Sequence, residues 1–138
     1  MKASPYLIFN GNGLEAIKHY EKAFKIKAER ICQYKDTPPI DGMPPIPPEI
    51  AELIMHSVLP IGNSTIYICD TTPDQPTVFG KGSFPCVELD TVEDVISAFE
   101  ILKENGKIFC EAQETFWNPC YAEIEDRFGL KWTIMVVE

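Results

Sequence analysis

Apolar residues fall in short runs along this chain, and their spacing switches between the period of a strand and that of a helix. Residues 4–9 form an apolar run that Asn10, Gly11, Asn12 and Gly13 end, since these residues favour turns and positive φ. Over residues 14–24, Leu14, Ile17, Tyr20, Ala23 and Phe24 recur at helical spacing, with Glu15, Lys18, Glu21 and Lys22 opposite them. That pattern predicts an amphipathic helix lying on a sheet. His19 is read as a solvated position on this helix. Residues 28–34 read as a second strand. Residues 37–48 then hold six of the chain's twelve prolines, which no central strand could accept, and are read as a surface loop. Residues 51–59 and 64–70 are strand-like and flank Gly62-Asn63, a pair suited to a tight hairpin turn. Residues 70–80, with Pro73 and Pro76, form a linker.

The second half repeats this plan. Residues 83–89 read as a strand and 92–105 as a helix with Val95, Ile96, Phe99 and Leu102 on one face; strands follow near 107–112, 120–125 and 130–137. Thr91 and Asp94 resemble a capping box with Asp in place of Glu, and Gly106 is placed as the helix stop. Each half is therefore β-α-β-β-β, module one over about 1–72 and module two over about 81–138, within one domain of residues 1–138. A unit of that length cannot bury its sheet alone. The expectation is an α+β fold in which two βαβββ modules form a curved mixed sheet around a cavity. The loop of Thr115, Phe116, Trp117 and Asn118, just before the closing hairpin, is read as a lid, and a lid suggests a small-molecule ligand.

Composition narrows the classes. A length of 138 residues fits one domain with a real core. No apolar run approaches the roughly 20 residues of a membrane span, and the opening MKASPYLIF lacks the apolar stretch of a secretory leader. A cytoplasmic protein without a membrane partner is expected. The net charge of −9, from 21 acidic and 12 basic residues, would repel a phosphate backbone, so nucleic acid is not an expected partner. Cys32, Cys69, Cys86, Cys110 and Cys120 are odd in number and contain no C-x-x-C pair. They read as reduced, buried thiols. No G-x-G-x-x-G or G-x-x-x-x-G-K-[ST] motif supports nucleotide binding.

The stretches PYLIFNGNGLEAIKHYEKAF, MHSVLPIGNSTIYICD and ETFWNPCYAEIEDRFGLKWTI, together with the duplication, resemble the PhnB-like branch of the vicinal oxygen chelate superfamily over nearly the whole chain. That superfamily includes glyoxalases, extradiol dioxygenases, fosfomycin-resistance enzymes and bleomycin-binding proteins, so the resemblance implies a fold without fixing a function. In metal-dependent relatives of the glyoxalase type, ligands come from the first, fourth, fifth and eighth strands, and the motif match places Pro5, Tyr67, Phe84 and Thr133 there. None is an ordinary ligand for a divalent metal. A slip of one residue would bring Tyr6, Ile66 or Ile68, and Ser83 or Pro85 instead, with no better donor set. No cofactor is expected, because a divalent metal would need ligands that these positions do not supply. Members of the branch often carry a demethylubiquinone methyltransferase label, but this sequence shows no glycine-rich methyl-donor loop, and that activity is not carried over. The superfamily commonly forms homodimers, which adds a second copy of the chain to the expected partners.

A two-residue turn at Gly62-Asn63 pairs Ile61 with Ser64, Val58 with Tyr67 and His56 with Cys69. In the related enzymes the Tyr67 position points into the cavity, which would turn His56, Val58 and Cys69 the same way. An imidazole there can be a general base, a hydrogen-bond donor or a metal ligand; it can equally be a buried histidine bonded to a neighbour. Trp117 and Phe116 can stack on a flat ligand or plug the sheet end. Glu88, on the face of Phe84 and Cys86, is either a carboxylate at the cavity rim, able to act as acid or base, or an exposed strand-end residue. Trp132 is read as core, and Glu123 and Glu125 as the solvent face of a strand. Cys69 and Cys86 are read as packing thiols, with His56 the activator that either would need as a nucleophile.

Three functions follow. The first is a small-molecule binding protein with an apolar, aromatic cavity that uses His56, Tyr67, Cys69, Phe84, Phe116, Trp117 and Thr133. The second is a metal-assisted lyase or isomerase with His56 and Glu88 as catalytic residues. The third is a structural or regulatory partner whose pocket is closed.

Overall fold

The computed structural model describes residues 1–138. Its contacts group them into two units, Met1–Glu21 with Ile26–Thr77 and Lys22–Lys25 with Val78–Glu138. In the first unit, strands β1 (Tyr6–Phe9), β2 (Arg30–Gln33), β3 (Ile54–Ile61) and β4 (Ser64–Asp70) form a mixed sheet in the order β1-β4-β3-β2, with β1 parallel to β4. Helix α1 (Gly13–Phe24) connects β1 to β2. Alternation along the strands buries Leu7, Phe9, Ser57, Leu59, Ile66 and Ile68 on one face, where the ring of Phe9 lies 6.3 Å from that of Tyr20 on α1.

Entry into α1 is pinned by the buried carboxylate of Asp70. Its Oδ1 accepts the backbone N–H groups of Gly11 (3.1 Å) and Gly13 (2.8 Å), and its Oδ2 accepts that of Ile54 (2.9 Å). A carboxylate at a helix N-terminus also meets the positive end of the helix dipole. Glycine is required at position 13, because a Cβ would stand 2.7 Å from Asp70 Oδ1.

The buried stripe of α1 differs from the expected one. Leu14 is 41% exposed, whereas His19, expected on the solvated side, is only 5% exposed. The stripe runs through Ala16, Ile17, Tyr20, Ala23 and Phe24, and His19 follows Ala16 by three residues and precedes Ala23 by four, which places it inside the same arc.

The second unit repeats the strand order. Strands β5 (Cys86–Leu89), β6 (Lys107–Gln113), β7 (Tyr121–Glu125) and β8 (Lys131–Val136) are arranged β5-β8-β7-β6, with β5 parallel to β8, and α2 (Val92–Leu102) follows β5. The whole is an α+β fold of two βαβββ modules. Val87, Ala122, Ile124, Trp132 and Ile134 are buried on the sheet, as are Val95, Ala98, Phe99 and Leu102 on the helix. The Trp132 indole N–H donates to Asp126 Oδ2 (2.8 Å), while Asp126 Oδ1 accepts from the N–H groups of Phe128 and Leu130. This explains the Asp-Arg-Phe-Gly turn. The Phe24 ring lies 5.2 Å from Trp132, so the last turn of α1 belongs to this unit's core.

Several expected details are corrected here. Ile96, expected on the buried face of α2, is 45% exposed, and Ala98 takes its place. The Thr91 hydroxyl oxygen accepts the Asp94 N–H (3.1 Å), and its hydroxyl pairs with Asp94 Oδ2 (2.9 Å), so the cap is real in an Asp form. Asn105, at φ +56°, takes the left-handed position after α2, while Gly106 serves a close approach in which a Cβ would run into the Glu125 carbonyl oxygen. Strand β5 starts at Cys86, so Phe84 precedes it; Pro85 has no N–H to donate, although its carbonyl accepts from Thr133 N–H at 3.1 Å. Of the five free cysteines, only Cys120 is buried and Cys86 is exposed, which corrects the expectation of buried thiols.

Candidate functional site

Gly62, at φ +54°, lets the Gly62-Asn63 turn close tightly, and the resulting β3–β4 register sets Val58 opposite Tyr67 as expected. The β2–β3 pairing places Cys32 beside His56, and the parallel β1–β4 pairing places Tyr6 beside Tyr67 and Ile8 beside Cys69. Partners in register share a face. One face of the first sheet therefore carries Tyr6, His56, Tyr67 and Cys69, and the three rings touch: Tyr6 to Tyr67 at 5.5 Å, His56 to Tyr67 at 5.5 Å and Tyr6 to His56 at 5.9 Å.

The Tyr6 hydroxyl lies 2.9 Å from His56 Nδ1 and also contacts the Cys69 thiol. Burial raises the Tyr6 pKa above the ordinary phenol value, and the Cys69 thiol raises it further. Burial likewise raises Cys69, and the Asp70 charge adds to it; the hydrogen bond with Tyr6 offsets part of this. Both groups stay protonated at neutral pH. The Tyr6 hydroxyl has one hydrogen to give: donated to Nδ1 it leaves the imidazole N–H on Nε2, and donated to Cys69 it receives Nδ1–H instead and leaves Nε2 as an acceptor.

The remaining expected residues lie in the second unit. Thr133 is buried in register with Cys86 and Glu123, and its side chain hydrogen-bonds that of Tyr121. Phe84 lies under Lys131, whose Nζ is 4.2 Å from the ring centroid and 3.2 Å from Glu123 Oε1. Glu123, expected to face solvent, is thus half-buried in an ion pair. Glu88 is exposed. Although Cys86 is exposed as a residue, partial desolvation of its thiol raises the pKa and Glu88 raises it further, which gives it none of the activation a nucleophile needs.

Trp117 meets Tyr121 edge-on at 5.3 Å, and Phe116 meets Trp117 at 4.8 Å. Phe116 is 97% exposed, so its ring is not packed as core at the sheet end. The turn holding it is fixed by Asn118, whose Nδ2 donates to the Val136 carbonyl (2.8 Å) and whose Oδ1 accepts from the N–H groups of Cys120 and Val136. Residues 114–119 line a shallow depression.

The sequence put His56, Tyr67 and Cys69 on one face, and the structure does the same; Tyr6, named there only as the one-residue alternative to Pro5, is the residue that joins them. The signal lay in the register: Tyr6 stands beside Tyr67, and Cys86 beside Thr133, where the motif match had put Pro5 and Phe84. These side chains offer two phenols, a thiol and a hydroxyl. No group of three or more His, Cys, Asp or Glu side chains gathers as a metal would need. The residues at the inherited positions do not fit a divalent ion of the glyoxalase kind.

No family model matches the chain. It is similar to protein YjdN of Escherichia coli K12, with 31% identity over 149 aligned positions that cover 100% of this chain and 97% of YjdN. Among solved structures it is similar to protein PA1353 from Pseudomonas aeruginosa, with 28% identity, a TM-score of 0.84 and coverage of 99% of this chain and 97% of that one. The PhnB protein from Bacillus cereus shares the fold, with 18% identity, a TM-score of 0.78 and coverage of 99% and 100%.

Proposed function

Because the chain belongs to the PhnB-like branch of the vicinal oxygen chelate superfamily and has the glyoxalase fold, we propose that it binds a small oxygenated molecule without a metal, against the Tyr6, His56, Tyr67 and Cys69 face of its first sheet. The observation that carries this reading is the 2.9 Å contact between the Tyr6 hydroxyl and His56 Nδ1, set beside the Tyr67 ring. The contact orients the imidazole and leaves Nε2 to meet a hydroxyl or other polar group of the ligand. The flanking rings supply flat apolar area at low conformational cost. Binding rather than conversion is the favoured reading, because the Cys69 thiol is held protonated and no carboxylate joins His56 on this face.

Thermal-shift screening of a panel of small oxygenated metabolites, followed by calorimetry on the best hit, tests this. Losing one hydrogen bond and one ring contact costs roughly 1–2 kcal/mol, so His56→Ala and Tyr67→Ala should each weaken the hit by about 5–30-fold. Tyr6→Phe should weaken it less, since the rings remain. A hit whose affinity ignores all three substitutions would sink the assignment. A hit consumed over time, with turnover lost in His56→Ala, would favour the lyase or isomerase reading.

A further inference from the structure

The proline-rich segment, expected only as a surface loop, encloses a cavity of about 590 Å³. Its two ends are tied to each other just beyond β2 and β3: Tyr34 N–H donates to the Leu53 carbonyl (3.1 Å), Lys35 N–H donates to the Ala51 carbonyl (2.9 Å), and Lys35 Nζ pairs with Glu52 (3.0 Å). Five prolines of the loop line the cavity together with Ile40, Met43, Ile46 and Met55, while Tyr34, Thr37 and Thr72 contribute hydroxyls, that of Thr37 donating to the Gln33 carbonyl (3.2 Å). No Asp, Glu, Lys or Arg lines it, although 24% of the chain is charged.

Three features point to a small ligand. The volume falls within the roughly 300–1,000 Å³ of pockets that enclose small molecules. Proline fixes φ, so these walls lose little freedom when a ligand enters. A charged ligand would be desolvated there without a counter-ion, and an anion would also meet the field of a chain with net charge −9. We propose that this cavity is a second binding site, one that takes a neutral, mainly apolar small molecule with a single oxygen directed at Tyr34 or Thr72.

The test uses N-phenyl-1-naphthylamine, a neutral dye that brightens in apolar surroundings. The intact protein should bind it saturably at one dye per chain. Ile46→Asp and Met43→Asp, both on exposed loop positions, should weaken binding at least about 10-fold with unchanged circular dichroism. Ile40→Ser repeats the test with a milder change. Val78→Asp, at an exposed apolar position outside the cavity, should bind as the wild type does. Dye binding indifferent to the loop variants would overturn the inference. So would an equal loss in His56→Ala, which would merge the two sites into one while leaving the first reading intact. Loop variants that alter sedimentation but not dye binding would assign the loop to self-association and also overturn it.

Discussion

At the scale of single residues, the burial of Cys69 beside Asp70 outweighs its contact with Tyr6 and sets what chemistry this face of the first sheet can offer. Burial raises the thiol's pKa first and the Asp70 charge raises it further, so the thiolate fraction at pH 7 is smaller than that of a free cysteine. Alkylation of Cys69 by iodoacetamide, read peptide by peptide in a mass spectrometer, should be slow at pH 7 and climb only above the ordinary thiol range of about 8.5. Labelling at pH 7 as fast as a free cysteine would contradict the burial argument. The linkage has a definite sign: folding holds this proton more tightly, so any stability it lends is full below the ordinary thiol pKa and declines as pH rises through the raised one.

At the scale of elements, turns and helix ends carry more information than the helices between them. Asp70 holds three backbone N–H groups from two segments, and Asp70→Ala would leave all three without their charged acceptor. Its removal should cost at least about 3 kcal/mol in a urea titration, since hydrogen bonds to charged groups are worth roughly 1.5–3 kcal/mol each. A loss below about 1 kcal/mol would show that water replaces the carboxylate. Gly106→Ala forces a Cβ onto the Glu125 carbonyl and should also destabilise by more than about 1 kcal/mol.

The same elements show what the sequence could reveal. The Gly62-Asn63 pair set the hairpin register and with it the Val58 to Tyr67 pairing, because a two-residue turn leaves no freedom of count. Helix faces were less legible. Ile96 outranks Ala98 in hydropathy, but Ala98 lies three residues after Val95 and four before Leu102, so geometry buries the smaller side chain. His19 was misplaced for the converse reason: its polarity suggested solvent, whereas its angular position is buried. Tyr6 entered only as the alternative to Pro5, because a parallel pair of distant strands has no turn to fix its register and a shift of one residue exchanges the two.

At the scale of the whole molecule, the duplicated plan was legible because each half carries its own helix and hairpin signals, and the two sheets indeed share one strand order. A shared plan does not carry over a shared chemistry. The glyoxalase-type positions here hold phenols, a thiol and a hydroxyl, which can bind through hydrogen bonds and ring faces but present no converging imidazoles or carboxylates. Protein purified without chelator should therefore carry well under one equivalent of divalent metal by elemental analysis. Added Mn²⁺ or Ni²⁺ should leave its melting temperature unchanged. The thermal readout is sensitive enough to decide, because an ion at 100 times its Kd would stabilise the fold by about 2.7 kcal/mol, a shift of several degrees. Stoichiometric metal that disappears in His56→Ala would place a metal at the imidazole and return the protein to the superfamily's metal-assisted chemistry; the donor set on the sheet faces predicts the opposite result.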